Sequence, residues 1–266
     1  MEKGRVELDS PVNAYLSGLP SAVQGVTIRQ LLSHTAGIKD PDLSPDFYSD
    51  QFLSKDDLIA DYIDKITSYA SPGQDFQYSN AGYWLLGLVI EAVSGEEYDQ
   101  YLQNHIFSPL GMDQTSYCRE AIPLSQPSGL AQGYVYSSSG LLPVNANMSL
   151  VFSAGGLCST TGDLLAWLQA LTHGKVISPP LYQEMITPVT LPDGENTGYG
   201  FGMLVQTGSS ETVIEHGGNL GSFQSYLVDY LDRDLDLVVL TNTGYSGLDL
   251  SAFAQSLVDQ ALAPPK

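Results

Sequence analysis

The feature that most constrains the fold is a succession of short strand candidates in the last third of the chain. Four segments rich in β-branched, aromatic and aliphatic residues follow one another: 199–206, 211–215, 222–229 and 235–242. Glycine-rich or aspartate-rich turns separate them, and strands spaced in this way pair as an antiparallel meander. We therefore expect an antiparallel sheet in the last third of the protein.

Helix signals dominate the chain before these strands. Thr27 is a predicted N-cap, and Ser54 with Asp57 three residues later forms a capping-box pattern for a second helix. Residues 81–93 are so apolar that their helix should be buried on most sides, with Gly95 as its C-cap. These local patterns predict a mainly helical region that precedes the sheet.

The order of the elements predicts the fold class. Three further helices are expected: 96–107, 161–173 and 248–262. Pro109 should close the first of these. Helices followed by strands with flanking helices are typical of an α+β fold with a helical subdomain. We expect residues 1–26 and 156–266 to form the sheet-containing domain, and residues 27–155 to form the helical subdomain.

The charge balance excludes some classes of partner. With 30 acidic and 10 basic side chains, the chain carries a formal net charge of -20. Such a charge repels nucleic acid and anionic membrane surfaces, so no nucleic-acid partner is expected. The sequence has no run of about eighteen apolar residues, and no transmembrane segment is predicted.

Cysteine and histidine usage gives no sign of a metal site. Cys118 and Cys158 are the only cysteines, and a disulfide between them is allowed but not required by the sequence. There is no His-Glu-x-x-His and no paired cysteine spacing, so neither a metal nor a cofactor is predicted. We interpret His34 as a structural residue of its turn.

The first motif with catalytic character is Tyr78-Ser79-Asn80. It follows a Pro-Gly turn and opens the apolar helix. A phenol with a pKa of about 10 can act as a base near neutral pH only if nearby cations favour the phenolate. The Asn80 amide can hold both a catalytic side chain and a substrate carbonyl. Taken alone, a Tyr-x-Asn is ordinarily a helix start with asparagine near the cap, but its place after Pro-Gly and before a buried helix favours the catalytic interpretation.

The second motif is His216-Gly217-Gly218-Asn219, which follows a strand-like run. Two successive glycines let a substrate approach the backbone closely. The alternative interpretation is a glycine-rich turn with a structural histidine.

Together these motifs resemble two active-site elements of the penicillin-recognising serine hydrolases, the family of class C β-lactamases, D-Ala-D-Ala peptidases and related esterases. The resemblance covers nearly the whole chain and rests on segments in the family's order: 2–16, 31–37, 76–80, 154–157 with 161–164, and 216–218. It implies a β-lactamase/transpeptidase-like fold, with an antiparallel sheet flanked by helices. It also implies an acyl-enzyme mechanism on a small-molecule or peptide substrate.

The resemblance assigns roles to six residues. Tyr78, Asn80 and His216 match catalytic positions, and Gly217, Gly218 and Asn219 match the substrate-binding strand. By this match the backbone N–H of Asn219 is one donor to the oxyanion. Histidine stands at position 216 where the family has lysine, so a permanent cation becomes one that titrates near neutral pH. This change favours an esterase or D-amino-acid peptidase over a β-lactamase.

The family's third element, a Ser-x-x-Lys that carries the nucleophile, is missing. No lysine here has a serine three residues before it, and only Thr172 before Lys175 comes close. We expect the chain to be N-terminally incomplete and inactive alone, with an upstream segment or a partner completing the active site. Without the nucleophile helix, an open trough and loose packing are expected where that helix would lie, around Trp84, Leu88 and the His216 strand.

Two other functions remain open. The chain could be a non-catalytic binding protein that keeps the cleft and has lost the nucleophile. An α/β-hydrolase is the weaker alternative, because residues 244–248 lack the last glycine of its Gly-x-Ser-x-Gly elbow. The family resemblance suggests a periplasmic or secreted protein, although the first residues contain no apolar signal core.

Overall fold

The computed structural model describes most of the 266 residues. The described ranges are 1, 3–44, 46–49, 51–118, 129–144, 146–208, 211–244 and 247–263.

Helices and helical turns are the commonest regular elements of the described chain before residue 186. The α-helices are α1 (Ile28–Leu32), α2 (Lys55–Asp61), α3 (Asn80–Ser94), α4 (Tyr98–Leu102), α5 (Ser108–Leu110), α6 (Met148–Val151), α7 (Thr161–Thr172), α8 (Pro179–Met185) and α9 (Leu250–Leu262). Short 3-10 turns occur at Val12–Ala14, Ser21–Val23, Ile63–Lys65, Phe152–Ala154 and Leu231–Arg233, and a π-helical turn at Gln103–Phe107.

Among the described residues, the strands form one four-stranded sheet and three small ones. They are β1 (Ile38–Lys39), β2 (Thr67–Ser68), β3 (Ser116–Tyr117), β4 (Tyr134–Ser137), β5 (Gly140–Pro143), β6 (Leu157–Cys158), β7 (Leu204–Thr207), β8 (Thr212–Asn219), β9 (Gln224–Tyr230), β10 (Leu235–Thr241) and β11 (Thr243–Gly244). The large sheet has the order β10-β9-β8-β7, and all of its pairs are antiparallel. The predicted meander is therefore confirmed.

Both faces of the large sheet are covered by helices. The layer between the sheet and α9 contains the buried residues Tyr226, Val228, Tyr230, Leu250, Ala254 and Val258. The layer on the other face, against α7 and α8, contains Leu171, Tyr182, Met203, Val205 and Ile214. Side chains on a strand alternate between its faces, which is why β9 contributes every second residue to the α9 layer.

Helix α3 lies at the centre of the largest core. Ser79 caps its first turn by accepting a hydrogen bond from the Gly82 N–H, and Gly95 ends it with a left-handed φ of 76°. Trp84 and Leu85 are fully buried, and the indole of Trp84 donates to the Val151 carbonyl at 3.0 Å. The predicted boundaries and burial of this helix are confirmed. At Trp84 the expected trough is not found, because the chain's own residues bury this side chain.

Two other local predictions have different outcomes. Thr27 and Ser54 both cap helices through complete capping boxes, with Gln30 and Asp57 as the respective partners. The predicted end of the 96–107 helix at Pro109 is wrong. A π-helical turn precedes Ser108, and the helix continues through Pro109 to a left-handed C-cap at Gly111. Proline is tolerated there because the first turn of a helical segment needs no N–H donor from it.

Cys118 and Cys158 form a disulfide, with their Cα atoms 5.6 Å apart. It lies beside the short β3–β6 pair, in which Ser116 is opposite Cys158. The alternative that the sequence left open is thus resolved in favour of the bridge. In the part of the chain that the structure describes, no helix is both long and apolar enough to cross a membrane.

Candidate active site

Asp40 organises the start of α3. It follows the short strand β1, and its carboxylate accepts hydrogen bonds from the Ser79 hydroxyl (2.5 Å), the Asn80 N–H (2.9 Å) and the Ala81 N–H (3.0 Å). The Asn80 side-chain amide also donates to it at 3.3 Å. A carboxylate is stabilised at this position because the first N–H groups of a helix have no partner within the helix. The result is a fixed orientation for the Asn80 amide.

Tyr78 lies just before α3, and its side chain is 46% exposed. One face of the ring packs on His34, with 4.0 Å between centroids, and the ring of His216 is 6.2 Å away. Burial raises the pKa of Tyr78, and the negative charge of Asp40 raises it further. Neither influence is a cation, so in this chain Tyr78 is a neutral phenol.

His34 is buried behind Tyr78, with only 2% of its surface exposed. Its φ of 56° turns the backbone sharply after α1. The ring Nδ1 accepts a hydrogen bond from the Ser79 N–H at 3.1 Å, and Nε2 lies 3.2 Å from the Tyr199 hydroxyl. Burial, together with the nearby His216, lowers the pKa of His34 to about 3. This neutral ring holds the turn, as the sequence interpretation suggested, and it also supports Tyr78.

His216 lies on β8, opposite Leu227 of β9. Its Nε2 is 3.1 Å from the hydroxyl of Tyr199. Burial lowers the pKa of His216, although a backbone hydrogen bond with Gly217 and the charge of Glu215 oppose this effect. The histidine that replaces the family's lysine is therefore mainly neutral near pH 7.

The backbone after His216 has an open edge. Strand β7 pairs with β8 only as far as Glu215, so His216 to Asn219 extend past it. Gly217 and Gly218 are exposed, and a Cβ on Gly217 would meet no protein atom outside its neighbours closer than 3.7 Å. The Asn219 side chain accepts from the Gly221 N–H at 3.1 Å, which fixes the following turn. An extended substrate chain could lie along this edge.

Tyr199 connects His34 to His216. It is 2% exposed, and its hydroxyl lies between His34 and His216. It belongs to the segment Gly198-Tyr199-Gly200-Phe201-Gly202, in which a Cβ on Gly200 would overlap the carbonyl oxygen of Met185. This close approach requires glycine and brings Tyr199 to the cleft.

The structure thus brings Tyr78 and His216 together and fixes Asn80, two residues after Tyr78, against Asp40. Gly217, Gly218 and Asn219 continue β8 after His216. Sequence reasoning missed Asp40 and Tyr199, and it assigned His34 only a structural part. An aromatic residue between glycines was the available signal for Tyr199. No local signal distinguished Asp40.

A nucleophile with an activating lysine is not found beside Tyr78 among the described residues. Ser79 is 3% exposed and bonded to Asp40, so it cannot attack a substrate. Lys55 binds Glu91 at 2.9 Å and Glu97 at 3.3 Å. The same part of the chain holds no group of three or more His, Cys, Asp or Glu side chains suited to a metal ion.

Comparison with known proteins identifies the family. A model of the Beta-lactamase family matches residues 1–259. Penicillin-binding protein 4* of Bacillus subtilis is 30% identical over 100% of this chain and 62% of its own length. A D-aminopeptidase of Gluconobacter oxydans is 29% identical over 64% of this chain and 32% of its own. The chain thus covers less than two thirds of the length of either relative.

Solved structures agree with the sequence comparison. The octameric penicillin-binding protein homologue from Pyrococcus abyssi superposes with a TM-score of 0.80 at 27% identity, over 98% of this chain and 61% of that one. A D-stereospecific amidohydrolase from Streptomyces sp. gives a TM-score of 0.80 at 26% identity, over 100% and 82%. The predicted β-lactamase/transpeptidase-like fold is confirmed, and the chain belongs to the Beta-lactamase family, to which its similarity with penicillin-binding proteins also points.

Proposed function

We propose that this chain contributes the residues for proton transfer and carbonyl binding to the active site of a serine hydrolase. This hydrolase cleaves amides or esters of D-amino acids. The observation that carries the proposal is the shared opening between Tyr78 and His216, whose ring centroids are 6.2 Å apart. Asn80, fixed by Asp40, is two residues from Tyr78 in the chain, and Gly217 and Gly218 directly follow His216 on β8.

The proposed reaction is acyl transfer. A serine hydroxyl attacks the substrate carbonyl, a C–O bond forms, and the serine proton passes to ionised Tyr78. The oxyanion is held by the Asn219 N–H, while the Asn80 amide orients the substrate. Collapse breaks the bond to the leaving group, which takes the proton from Tyr78. Water then hydrolyses the acyl-enzyme by the same route.

The nucleophile in this scheme comes from a Ser-x-x-Lys helix that is not among these 266 residues. The lysine of that helix has a second task. In this chain burial and Asp40 both raise the pKa of Tyr78, and a nearby ammonium group would lower it again. Tyr78 therefore acts as a base only when the lysine is present.

The substrate class follows from His216. A neutral imidazole gives a substrate carboxylate little electrostatic attraction, whereas it tolerates an uncharged amide or ester. The names of the relatives, D-aminopeptidase and D-stereospecific amidohydrolase, support the same class. We accordingly place activity on D-amino-acid amides above hydrolysis of penicillins.

The second candidate is a binding protein of the same fold without catalysis. It is favoured by one observation, the absence of any Ser-x-x-Lys from the sequence. Such a protein would still bind a D-amino-acid amide at the glycine edge of β8 but would release it unchanged.

The test joins the chain to an upstream helix that carries Ser-x-x-Lys and measures turnover of D-phenylalanine amide, its L-enantiomer and benzylpenicillin. The proposal predicts turnover of the D-amide first, and a loss of roughly 100-fold or more in kcat for Tyr78→Phe. Tyr136→Phe, at an exposed tyrosine of β4, is the matched control. Binding of the D-amide without turnover supports the binding protein, and faster hydrolysis of the penicillin contradicts the substrate class.

A further inference from the structure

The hydroxyl of Tyr199 bridges two imidazoles, and the bonds around it restrict where each proton can lie. The Ser79 N–H donates to Nδ1 of His34, so this nitrogen carries a lone pair. A neutral imidazole has one N–H, which for His34 must then be on Nε2. His34 Nε2–H faces the Tyr199 oxygen at 3.2 Å and donates to it.

The proton of Tyr199 has two candidate acceptors. One is Nε2 of His216 at 3.1 Å, and the other is the oxygen of Tyr83, whose own hydroxyl donates to the Leu32 carbonyl at 2.9 Å. An imidazole nitrogen accepts more strongly than a phenol oxygen because it is more basic. The bond of Tyr199 therefore goes to His216.

Because Nε2 of His216 accepts the Tyr199 hydroxyl, that nitrogen carries no proton. A neutral imidazole has one N–H, which for His216 is then on Nδ1.

We propose that Tyr199 is a positioning residue that holds His216 as the neutral Nδ1–H tautomer, with its Nε2 lone pair occupied by the Tyr199 hydroxyl. The order of donation is Ser79 N–H to His34, His34 to Tyr199, and Tyr199 to His216. His216 is then neither a general base nor a cation. His216 is instead an uncharged polar side chain held in one orientation at the cleft. Tyr199 thereby sets the preference of the site for uncharged substrate groups.

The other groups around His216 do not supply a competing proton. Tyr78 faces it as a neutral phenol, and Glu215, the adjacent residue on β8, is hydrogen-bonded by Gln206 at 3.0 Å and by Tyr226. Protonation of Nε2 would place a second N–H against the Tyr199 oxygen and force its hydroxyl to turn away. The bridge thus opposes the charged form of His216 in addition to burial.

The test is nitrogen NMR of the histidine rings in the chain as it exists, which needs no substrate. Only four histidines occur, and the hydrogen-bond partners of His105 and His173 lie no more than nine residues from them in the chain, so these two serve as internal references. The spectrum near pH 7 should show a bare Nδ1 for His34 and a bare Nε2 for His216. A bare Nδ1 on His216 would overturn the proposal without any mutation.

The matched variants are Tyr199→Phe and Tyr230→Phe, which removes a hydroxyl bound to Gln255 on the far side of the sheet. Tyr199→Phe should let His216 take either neutral tautomer. It should also raise the pKa of His216 by about one unit, the size expected for one lost hydrogen bond. Tyr230→Phe should change neither. If Tyr199→Phe also leaves tautomer and pKa unchanged, Tyr199 is not a positioning residue.

The claim about substrate preference rests on the proposed function and has its own readout. Binding of N-acetyl-D-phenylalanine, a carboxylate, is compared with that of its amide at pH 6. Tyr199→Phe should improve carboxylate binding several-fold relative to the amide, and an unchanged ratio would overturn this part. A fixed tautomer in a protein that forms no acyl-enzyme even after a Ser-x-x-Lys helix is joined upstream would refute the proposed function while leaving the role of Tyr199 intact.

Discussion

Replacement of Asp40 by asparagine tests how the site is held in place. The carboxylate of Asp40 accepts four hydrogen bonds from Ser79, Asn80 and Ala81 at the start of α3. Asparagine keeps the shape, but it presents an NH2 group to at least one of these donors and removes the charge from the helix terminus.

The expected loss follows from those contacts. A hydrogen bond to a charged group contributes roughly 1.5–3 kcal/mol, and a carboxylate at a helix N-terminus adds about 0.3–1 kcal/mol. Asp40 is half-buried, and an asparagine in its place would still offer one accepting oxygen. We therefore expect Asp40→Asn to lower the free energy of unfolding by about 2–3 kcal/mol. For a chain of this size the melting temperature should fall by about 5–10 °C.

The assay is thermal unfolding followed by tryptophan fluorescence, because Trp84 lies on α3 and is fully buried. Asp42→Asn is the matched control. Asp42 is exposed and caps only the turn at Ser44, so its replacement should cost less than about 0.5 kcal/mol. Equal melting temperatures for the two variants would show that Asp40 does not anchor α3.

Three further predictions concern stability. Burial and neighbouring aspartates raise the pKa of Asp229 to about 7, so the folded state binds a proton that the unfolded state lacks between pH 4 and 7. Stability from this group falls as pH rises through that window, and Asp229→Asn should flatten the fall in urea titrations at pH 5 and 8. Gly200→Ala should lower the free energy of unfolding by about 3 kcal/mol or more, because the new Cβ would overlap the backbone. Gly217→Ala should lower it by less than about 1 kcal/mol. Equal losses for the two variants in calorimetry would contradict the steric argument. Reducing the Cys118–Cys158 bridge, which closes 40 residues, should cost about 4 kcal/mol, and a melting temperature indifferent to reductant would refute this.

Local interactions explain which parts of the fold could be predicted. The caps at Thr27 and Ser54 and the C-cap at Gly95 depend on residues within one turn, and all three are confirmed. The strand boundaries were less accurate. Strand β7 begins at Leu204 rather than 199, because the chain bends at Gly198 and Gly202, where φ is 66° and 79°. A bend of this kind leaves no alternation pattern in the sequence.

The site was harder to predict because its contacts are long-range. Asp40 lies 39 residues from Ser79, and Tyr199 lies 165 residues from His34. Motif order led to Tyr78, Asn80 and His216, whose roles remain predictions. No pattern in a single sequence links an aspartate after a two-residue strand to the start of a helix. The division into residues 1–26 with 156–266 and 27–155 also remains a prediction.

The measurement that tests the central claim most directly is the intact mass of the protein after incubation with a fluorophosphonate probe. The account predicts no adduct on these 266 residues, because Ser79 is buried against Asp40 and no Ser-x-x-Lys exists. It predicts one adduct per molecule, on the added serine, once a Ser-x-x-Lys helix is joined upstream. A stoichiometric adduct on any serine of the chain alone would contradict the account, because it would place the nucleophile within this sequence.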